Sequence, residues 1–118
     1  MKVYRIDNEK EQRGIWRTFE GEWKPIFDEL TDGKCRDLPM PHNDLYHEGG
    51  YWFAATTEPE LLQHWMSKQD LIDLQKLGFE ICEYQVTSYK VLGKYECIFL
   101  RENILSKKVC SVEEIYPD

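Results

Sequence analysis

The chain opens with a short alternation of side chains and then loses its periodicity over a long stretch. Val3 and Arg5 fall on one face of residues 2–6 and Tyr4 and Ile6 on the other, which predicts a first β-strand. From residue 7 to residue 50, scattered aromatics, glycines and prolines predict an irregular segment with at most a short helix around residues 24–30. Such a long connection in a small domain is typical of a functional loop, or of an element that the pattern conceals.

The second half of the chain is much more regular. Residues 51–55 predict a buried strand. Thr57 and Glu60 match a capping box and predict a short helix, and Ser67 with Asp70 predicts the start of a second helix that ends at Gly78. The apolar positions of both helices are spaced to face a core: Leu61, Leu62, Trp65, Met66, Leu71, Leu74 and Leu77.

After the second helix the chain alternates again. Residues 79–86 predict a strand, and a turn at residues 92–94 leads to an antiparallel partner strand at residues 95–100. In the tail, Val109, Val112 and Ile115 fit either an edge strand or a short helix. These elements predict an α+β fold: a single compact domain over residues 1–118, mainly antiparallel sheet, with two short consecutive helices and a long N-terminal loop region. Its core is expected to come mainly from the second half.

Composition supports a folded domain and restricts its partners. The 118 residues suffice for one core, because two cores would each bury too little surface, and 42% of the residues are hydrophobic. A formal net charge of −7 disfavours direct binding to nucleic acid, whose affinity comes from basic side chains. Acidity can instead complement a basic groove on a protein partner, or simply keep the protein soluble.

The chain shows no targeting or membrane signal. No apolar run approaches the roughly 20 residues that cross a bilayer, and the N-terminus resembles a strand rather than a signal peptide, which predicts a cytoplasmic location. Two disulfides could join Cys35, Cys82, Cys97 and Cys110. Without an export signal or a C-x-x-C pair, free and mostly buried thiols are the favoured reading.

Few residues suggest catalysis or metal binding. His42, Asp44 and His47 could ligate a divalent ion, although three polar residues after a proline also fit an ordinary turn. Cys35 has basic neighbours that could activate a thiolate, but no histidine can be assigned as its base. The chain contains no phosphate-binding glycine loop, no G-x-S-x-G motif and no metalloprotease helix motif.

Aromatic and acidic residues are interleaved between residues 16 and 30. Tryptophans of this kind mark protein interfaces, but large aromatics also anchor long loops onto a core. Both interpretations stay open at this point. As a candidate protein-binding surface, the segment contributes Trp16, Glu20, Glu22, Trp23, Asp28 and Glu29.

Three stretches together resemble a family of small phage and prophage proteins. They are the opening strand at residues 3–6, the proline-rich loop at residues 38–41 with Asp44, and the run from residue 51 to residue 86. Because the matching residues are packing and capping residues, the resemblance implies a phage origin rather than an activity.

A second similarity is to ADP-ribosyltransferase-like folds. Arg5, Thr56 and Glu96 follow in the order of that family's phosphate-gripping arginine, pocket-shaping threonine and transition-state glutamate. Two departures are that Thr56 lacks a leading serine and that Lys94 stands where a second acid is common. The resemblance implies a nicotinamide dinucleotide pocket lined by these three residues.

The leading functional hypothesis is therefore a phage-type protein that binds a protein partner and needs no cofactor. The expected partner is a host or defence-system protein with a basic nucleic-acid-binding groove, which would make the chain a counter-defence inhibitor such as an anti-CRISPR protein. The alternatives are an ADP-ribosyltransferase-like enzyme and a phage structural or assembly protein.

Overall fold

A computed structural model describes residues 1–26, 29–30, 46–47, 50–94 and 96–117. The strands pair antiparallel throughout this part of the chain and form two sheets, in the orders β1-β4-β7 and β2-β3-β6-β5. The predicted α+β fold, mostly antiparallel sheet with short helices, is confirmed. In chain order the elements are β1 Lys2–Asp7, β2 Tyr46–His47, β3 Gly50–Ala55, the 3₁₀ helix η1 Pro59–His64, α1 Lys68–Lys76, β4 Glu80–Val86, β5 Lys90–Val91, β6 Cys97–Leu100, the 3₁₀ helix η2 Arg101–Asn103, β7 Ile104–Cys110 and α2 Val112–Ile115.

Residues 80–91 and 97–110 form the two arms of one long, bent β-hairpin. β4 pairs with β7, and further along the same two chain segments β5 pairs with β6. The hairpin closes where the Leu92 N–H donates to the Glu96 carbonyl at 3.2 Å, which places a turn where residues 92–94 predicted one. A register shift between Gln85 and Val86 and the extra residues of η2 bend the hairpin, so that β4 joins β1 while β6 joins β3.

The predicted pairing of residues 79–86 with residues 95–100 is therefore wrong. The partner of β4 is β7, the strand that follows η2. The pattern of the tail predicts an edge strand or a short helix, and the structure contains both, as β7 and α2.

The two sheets are joined where β1 meets the end of β3. Tyr4 and Thr56 exchange two backbone hydrogen bonds of 2.8 Å each. Strand pairing thus runs from β1 through the bent hairpin to β3 and back to β1, and the strands enclose an interior. The apolar residues of that interior are Val3, Phe19, Phe53, Ala55, Cys82, Tyr84, Val86, Cys97 and Phe99.

A second core lies on the other face of the strands, beneath the helices. Ile6 of β1, Ala54 of β3 and Ile81 of β4 pack there against helix residues such as Trp65 and Leu71. β1 is consequently buried on both faces, because its two alternating sets of side chains enter different cores. Most of the buried apolar residues in the described part of the chain follow residue 50, as expected.

The second helix, α1, begins as predicted, whereas the first, η1, does not. The Ser67 side chain accepts from the Asp70 N–H at 3.1 Å and caps α1, and Gly78 ends the helix region with φ +95°. The capping box of Thr57 and Glu60 is wrong: the preceding helix is a 3₁₀ helix whose N-cap is Glu58, without a side-chain cap bond.

Leu77 also differs from the prediction, because it is 38% exposed rather than turned into the core. It forms the C-cap of α1 with ψ 2°, outside the helical repeat that buries Leu71 and Leu74. The apolar stripe of the helix therefore ends one turn earlier than its sequence spacing suggested.

The segment after β1 is irregular, as predicted, but it is anchored to both cores. Over residues 8–26 it contains only isolated bridges and turns, and Ile15, Phe19 and Ile26 are buried. The Glu29 N–H donates to the Ile26 carbonyl at 3.1 Å, one turn within the short helix predicted at residues 24–30, of which residues 27–28 lie outside the described residues. β2 is a strand that the sequence pattern concealed.

Candidate functional site

The exposed surface of greatest interest is a turn at residues 16–24, referred to below as the tryptophan turn. The Gly21 N–H donates to the Thr18 carbonyl at 2.9 Å, and the Thr18 N–H donates to the Glu22 carbonyl at 2.9 Å. The Thr18 hydroxyl also accepts from the Glu22 N–H at 3.0 Å. Gly21 has φ +93°, a conformation that a residue with a Cβ adopts at a cost. These bonds give the tryptophan turn a defined shape.

The two tryptophans of the turn have different roles. Their rings stack with centroids 5.4 Å apart and an interplanar angle of 18°. Trp16 is half-buried and packs against the helix-side core, whereas Trp23 is 55% exposed. The Arg17 guanidinium lies 5.1 Å from the Trp23 ring centroid and donates to the Gly21 carbonyl at 3.0 Å. Trp16 is thus an anchor, and Trp23 is held in place while facing solvent.

Beside the turn lies a cleft of about 280 Å³. Glu20 and Glu22 reach it from the turn, and the Arg101 guanidinium stands 4.8 Å above the Phe19 ring at its floor. The complete lining is Glu11, Gln12, Thr18, Phe19, Glu20, Glu22 and Arg101. The structure therefore brings two of the predicted acids together with a third, Glu11, around one concave surface.

Glu29 lies elsewhere, and Asp28 lies outside the described residues. Glu29 lines a second cleft of about 240 Å³ together with Glu11 and the basic residues Arg13 and Lys24. The charge around the tryptophan turn is accordingly mixed: acids dominate the first cleft, whereas basic side chains accompany Glu29.

Sequence reasoning missed Glu11 and Arg101 as members of this surface. Arg101 belongs to η2, at the bend of the long hairpin, and nothing in its local pattern connects it with residues 18–22. Only the pairing of β6 with β3 and the packing of Phe19 on Phe53, at 5.2 Å between ring centroids, bring the two segments together.

The three residues of the transferase-like alternative lie mostly inside the protein. The Arg5 Nε donates to Asp7 at 2.6 Å and its Nη1 to the Ala54 carbonyl at 2.9 Å, and its guanidinium lies 4.4 Å from the Phe53 ring centroid. Arg5 is 3% exposed.

Thr56 is fully buried, and its hydroxyl donates to the Glu58 carbonyl at 2.9 Å. Glu96 is half-buried just before β6. Arg5 is thus engaged by Asp7 and by the Ala54 carbonyl in the interior, and the dinucleotide pocket stays a prediction.

Asp7 joins Arg5 to a tyrosine on the neighbouring strand. The Tyr84 hydroxyl donates to Asp7 at 2.6 Å, and Asp7 is 1% exposed. Burial, followed by the charge of Asp7, raises the pKa of Tyr84 well above its usual range, so the hydroxyl stays a donor. Tyr84 thus adds a hydrogen bond to the ion pair of Arg5 and Asp7, which is buried in the interior between the sheets.

The remaining candidates concern metal and thiol chemistry. His42, Asp44 and Cys35 lie outside the described residues, and only the backbone of His47 is described, in β2. Within the described part of the chain no three His, Cys, Asp or Glu residues are grouped so as to hold a metal ion. Cys82, Cys97 and Cys110 are free and buried.

Among the described residues, none of the helices has the length and apolar character needed to cross a membrane.

Comparison with known proteins shows which family matches the chain. Residues 1–113 match the family described as Bacteriophage T4 Y00F protein. The chain belongs to this family. The phage origin implied by the resemblance of the strand and helix pattern is therefore confirmed. The comparisons with curated proteins and with solved structures gave no match.

Proposed function

We propose that this phage protein acts by binding a protein partner through the tryptophan turn. The observation that carries the proposal is Trp23, which is 55% exposed although its ring contacts both Trp16 and Arg17. Tryptophan is enriched among the residues that dominate protein interfaces. A ring that is already fixed loses little conformational freedom on binding, which favours affinity.

The acids beside Trp23 indicate the chemistry of the partner. Glu20 and Glu22 are exposed and form no ion pair with any residue that the structure describes. Arg17 and Lys24 carry as much positive charge as Glu20 and Glu22 carry negative charge, so the turn as a whole is not acidic. Attraction for a basic partner therefore comes from the carboxylates that line the cleft. Basic side chains of the partner would complement Glu11, Glu20 and Glu22.

We further propose that the partner is a host protein of a defence system, such as a CRISPR effector, and that the turn occupies its basic nucleic-acid-binding groove. Phage origin and the net charge of −7 support this proposal. A protein of this charge would enter such a groove as an inhibitor of the anti-CRISPR kind, because it presents carboxylates where the nucleic acid presents phosphates.

Charge reversal of the turn tests the proposal. Immobilised wild-type protein and the E20K/E22K variant are exposed to host lysate, and captured proteins are identified by mass spectrometry. The control E60K/E113K makes the same change of net charge at exposed positions on η1 and α2. We expect the partner to be captured by the wild type and the control and lost with E20K/E22K.

The identified partner then allows a sharper measurement. Trp23→Ala is expected to weaken binding by about fivefold or more, because truncation of a central aromatic typically costs more than about 1 kcal/mol. Nucleic acid is expected to compete with the wild type for the partner. Capture that survives both E20K/E22K and W23A would show that another surface binds, and binding without competition would refute occupation of the groove.

A further inference from the structure

β7 is an edge strand with an unusual amount of exposed apolar surface. It pairs with β4 on one side, and no strand pairs with its outer side in the part of the chain that the structure describes. Leu105 is 65% exposed and Val109 is 47% exposed. An open strand edge offers unpaired backbone donors and acceptors, and proteins usually protect such edges.

The hydrogen-bonding of β1 determines which backbone groups of β7 point outward. Tyr4 directs its N–H and C=O to Thr56, away from β4. Because these directions alternate along an antiparallel ladder, Glu83, the partner of Tyr4, directs its groups to β7. Glu83 is paired with Lys108, whose groups therefore point back to β4. The neighbours of Lys108, namely Lys107 and Val109, are left with N–H and C=O groups on the outer edge.

Lysines on an edge strand normally prevent a second strand from pairing there, but Lys107 is already neutralised within its own chain. Its ammonium contacts Glu9 at 2.5 Å and Glu80 at 3.2 Å. The hydrogen bond to Glu9 is the main reason that the pKa of Lys107 is raised, so the group stays charged. Lys107 therefore does not present a free positive charge to a strand that approaches the edge.

We propose that a second copy of this chain pairs with β7 across a twofold axis at Lys107. Antiparallel pairing centred there sets Val109 of one copy opposite Leu105 of the other, twice, and places Lys108 opposite Ser106. The two Lys107 residues, each paired with acids of its own chain, lie opposite each other at the axis. The outward groups of Lys107 bond to their counterparts, and the sheets merge in the order β1-β4-β7-β7-β4-β1.

The second copy is favoured over an unrelated strand because β7 is complementary to itself in this register. Its two exposed apolar residues stand symmetrically on either side of Lys107, so each covers the other across the axis. Leu105 is the residue that the register shift leaves without a partner on β4, which limits regular pairing to the central part of the strand. The interface is consequently small, and the dimer dissociates on dilution. This inference does not rest on the proposed function, since it uses a different surface.

Light scattering and hydrogen exchange test the dimer. Over about a hundredfold concentration series, the mass of the wild type is expected to rise from 14.2 kDa toward twice that value. The variant L105E/V109E, which adds carboxylates at two exposed positions, is expected to weaken association by at least about tenfold. V91E/L92E makes the same change at the end of β5 and at the residue that follows it, which are 61% and 42% exposed, and is expected to dimerise like the wild type.

Amide exchange supplies a readout that does not depend on substitutions. The Lys107 and Val109 amides are expected to exchange more slowly in concentrated protein, whereas the Lys108 amide, bonded to β4, is protected equally at all concentrations. V109P removes only an outward N–H and should abolish association without adding charge.

A wild type that stays monomeric throughout the series overturns the proposal. So does a dimer that persists in L105E/V109E and V109P, or one lost only in V91E/L92E. Partner binding through the tryptophan turn is expected to survive L105E/V109E, which separates the two proposals.

Discussion

At the scale of single residues, the interior between the sheets contains the buried ion pair of Arg5 and Asp7, to which Tyr84 donates a hydrogen bond. Asp7 accepts from Arg5 on one oxygen and from Tyr84 on the other, both at 2.6 Å, and it is 1% exposed. Buried carboxylates without enough donors cost several kcal/mol, so the Tyr84 hydroxyl helps to keep the charged Asp7 stable in the interior. Arg5 is therefore best understood as a structural residue in this state of the protein.

The first prediction follows from this contact. Tyr84→Phe is expected to lower the free energy of unfolding by about 2 kcal/mol, because water cannot replace the lost donor at Asp7. The matched variant Tyr4→Phe deletes a hydroxyl that donates at 3.1 Å to Glu83, whose side chain is 17% exposed and can be hydrated. We expect it to cost less than half as much, about 0.5–1 kcal/mol. Urea unfolding measures both values, and equal losses would contradict the role assigned to Tyr84.

At the scale of elements, the two consecutive helices show how far a capping signature can be trusted. Both carry a Ser or Thr followed three residues later by an acid, yet only Ser67 forms its cap bond. At the first helix, the N-cap is Glu58, whose backbone is extended, and the Thr56 hydroxyl donates to the carbonyl of that residue. The signature was a good predictor of helix position and a poor predictor of the bond itself.

The second prediction uses this difference. Ser67→Ala is expected to destabilise the protein by about 1 kcal/mol, the usual cost of losing an N-cap acceptor. Thr57→Ala is expected to change stability by less than about 0.5 kcal/mol, since no cap bond is lost. Chemical denaturation compares the two variants. A loss at Thr57 as large as that at Ser67 would mean that the capping box forms after all.

Strand pairing was the least predictable feature at this scale. The positions of β1, β3 and β4 followed from alternation, but the sequence offered 95–100 as the partner of β4 because it lies just beyond a turn. The register shift at Gln85 and the insertion of η2 move the pairing to β7. Such shifts depend on how each strand fits both cores, which local periodicity does not contain.

At the scale of the whole molecule, several buried acidic groups make stability sensitive to high pH. Burial raises the pKa of Cys82 from 9.0 to about 12, and burial with the nearby charge of Glu96 does the same for Cys97. The pKa of Tyr84 is raised further by burial and by Asp7. Above pH 9 the unfolded chain releases these protons while the folded protein keeps them.

The third prediction is therefore a loss of stability in alkali. Because the folded state binds more protons than the unfolded state in this range, the free energy of unfolding falls as pH rises above about 9. Urea titrations under reducing conditions, from neutral pH upward, measure the slope. Cys97→Ala removes one of the groups and is expected to make the slope shallower. A free energy of unfolding that stays constant across this range would refute the assignment of buried, protonated thiols.

The candidate site could be predicted only in part. Trp16, Trp23, Glu20 and Glu22 are close in sequence, so their proximity followed from the chain itself. Their division into an anchor and an exposed ring did not, because it depends on which side of the turn packs against the core. Arg101 had no local signal, since it reaches the cleft only through the pairing of β6 with β3.

By itself, the sequence determined the α+β class, the phage family and the places of the helices and of most strands, since periodicity, caps and turns are written within a few neighbouring residues. Only the tertiary structure decided the bent hairpin, the closure of β1 onto β3, the burial of Arg5 and the exposure of Trp23. Each of these features depends on contacts between residues far apart in the chain. The free energy of those contacts depends on which side chains are buried in the two cores and which stay exposed to solvent.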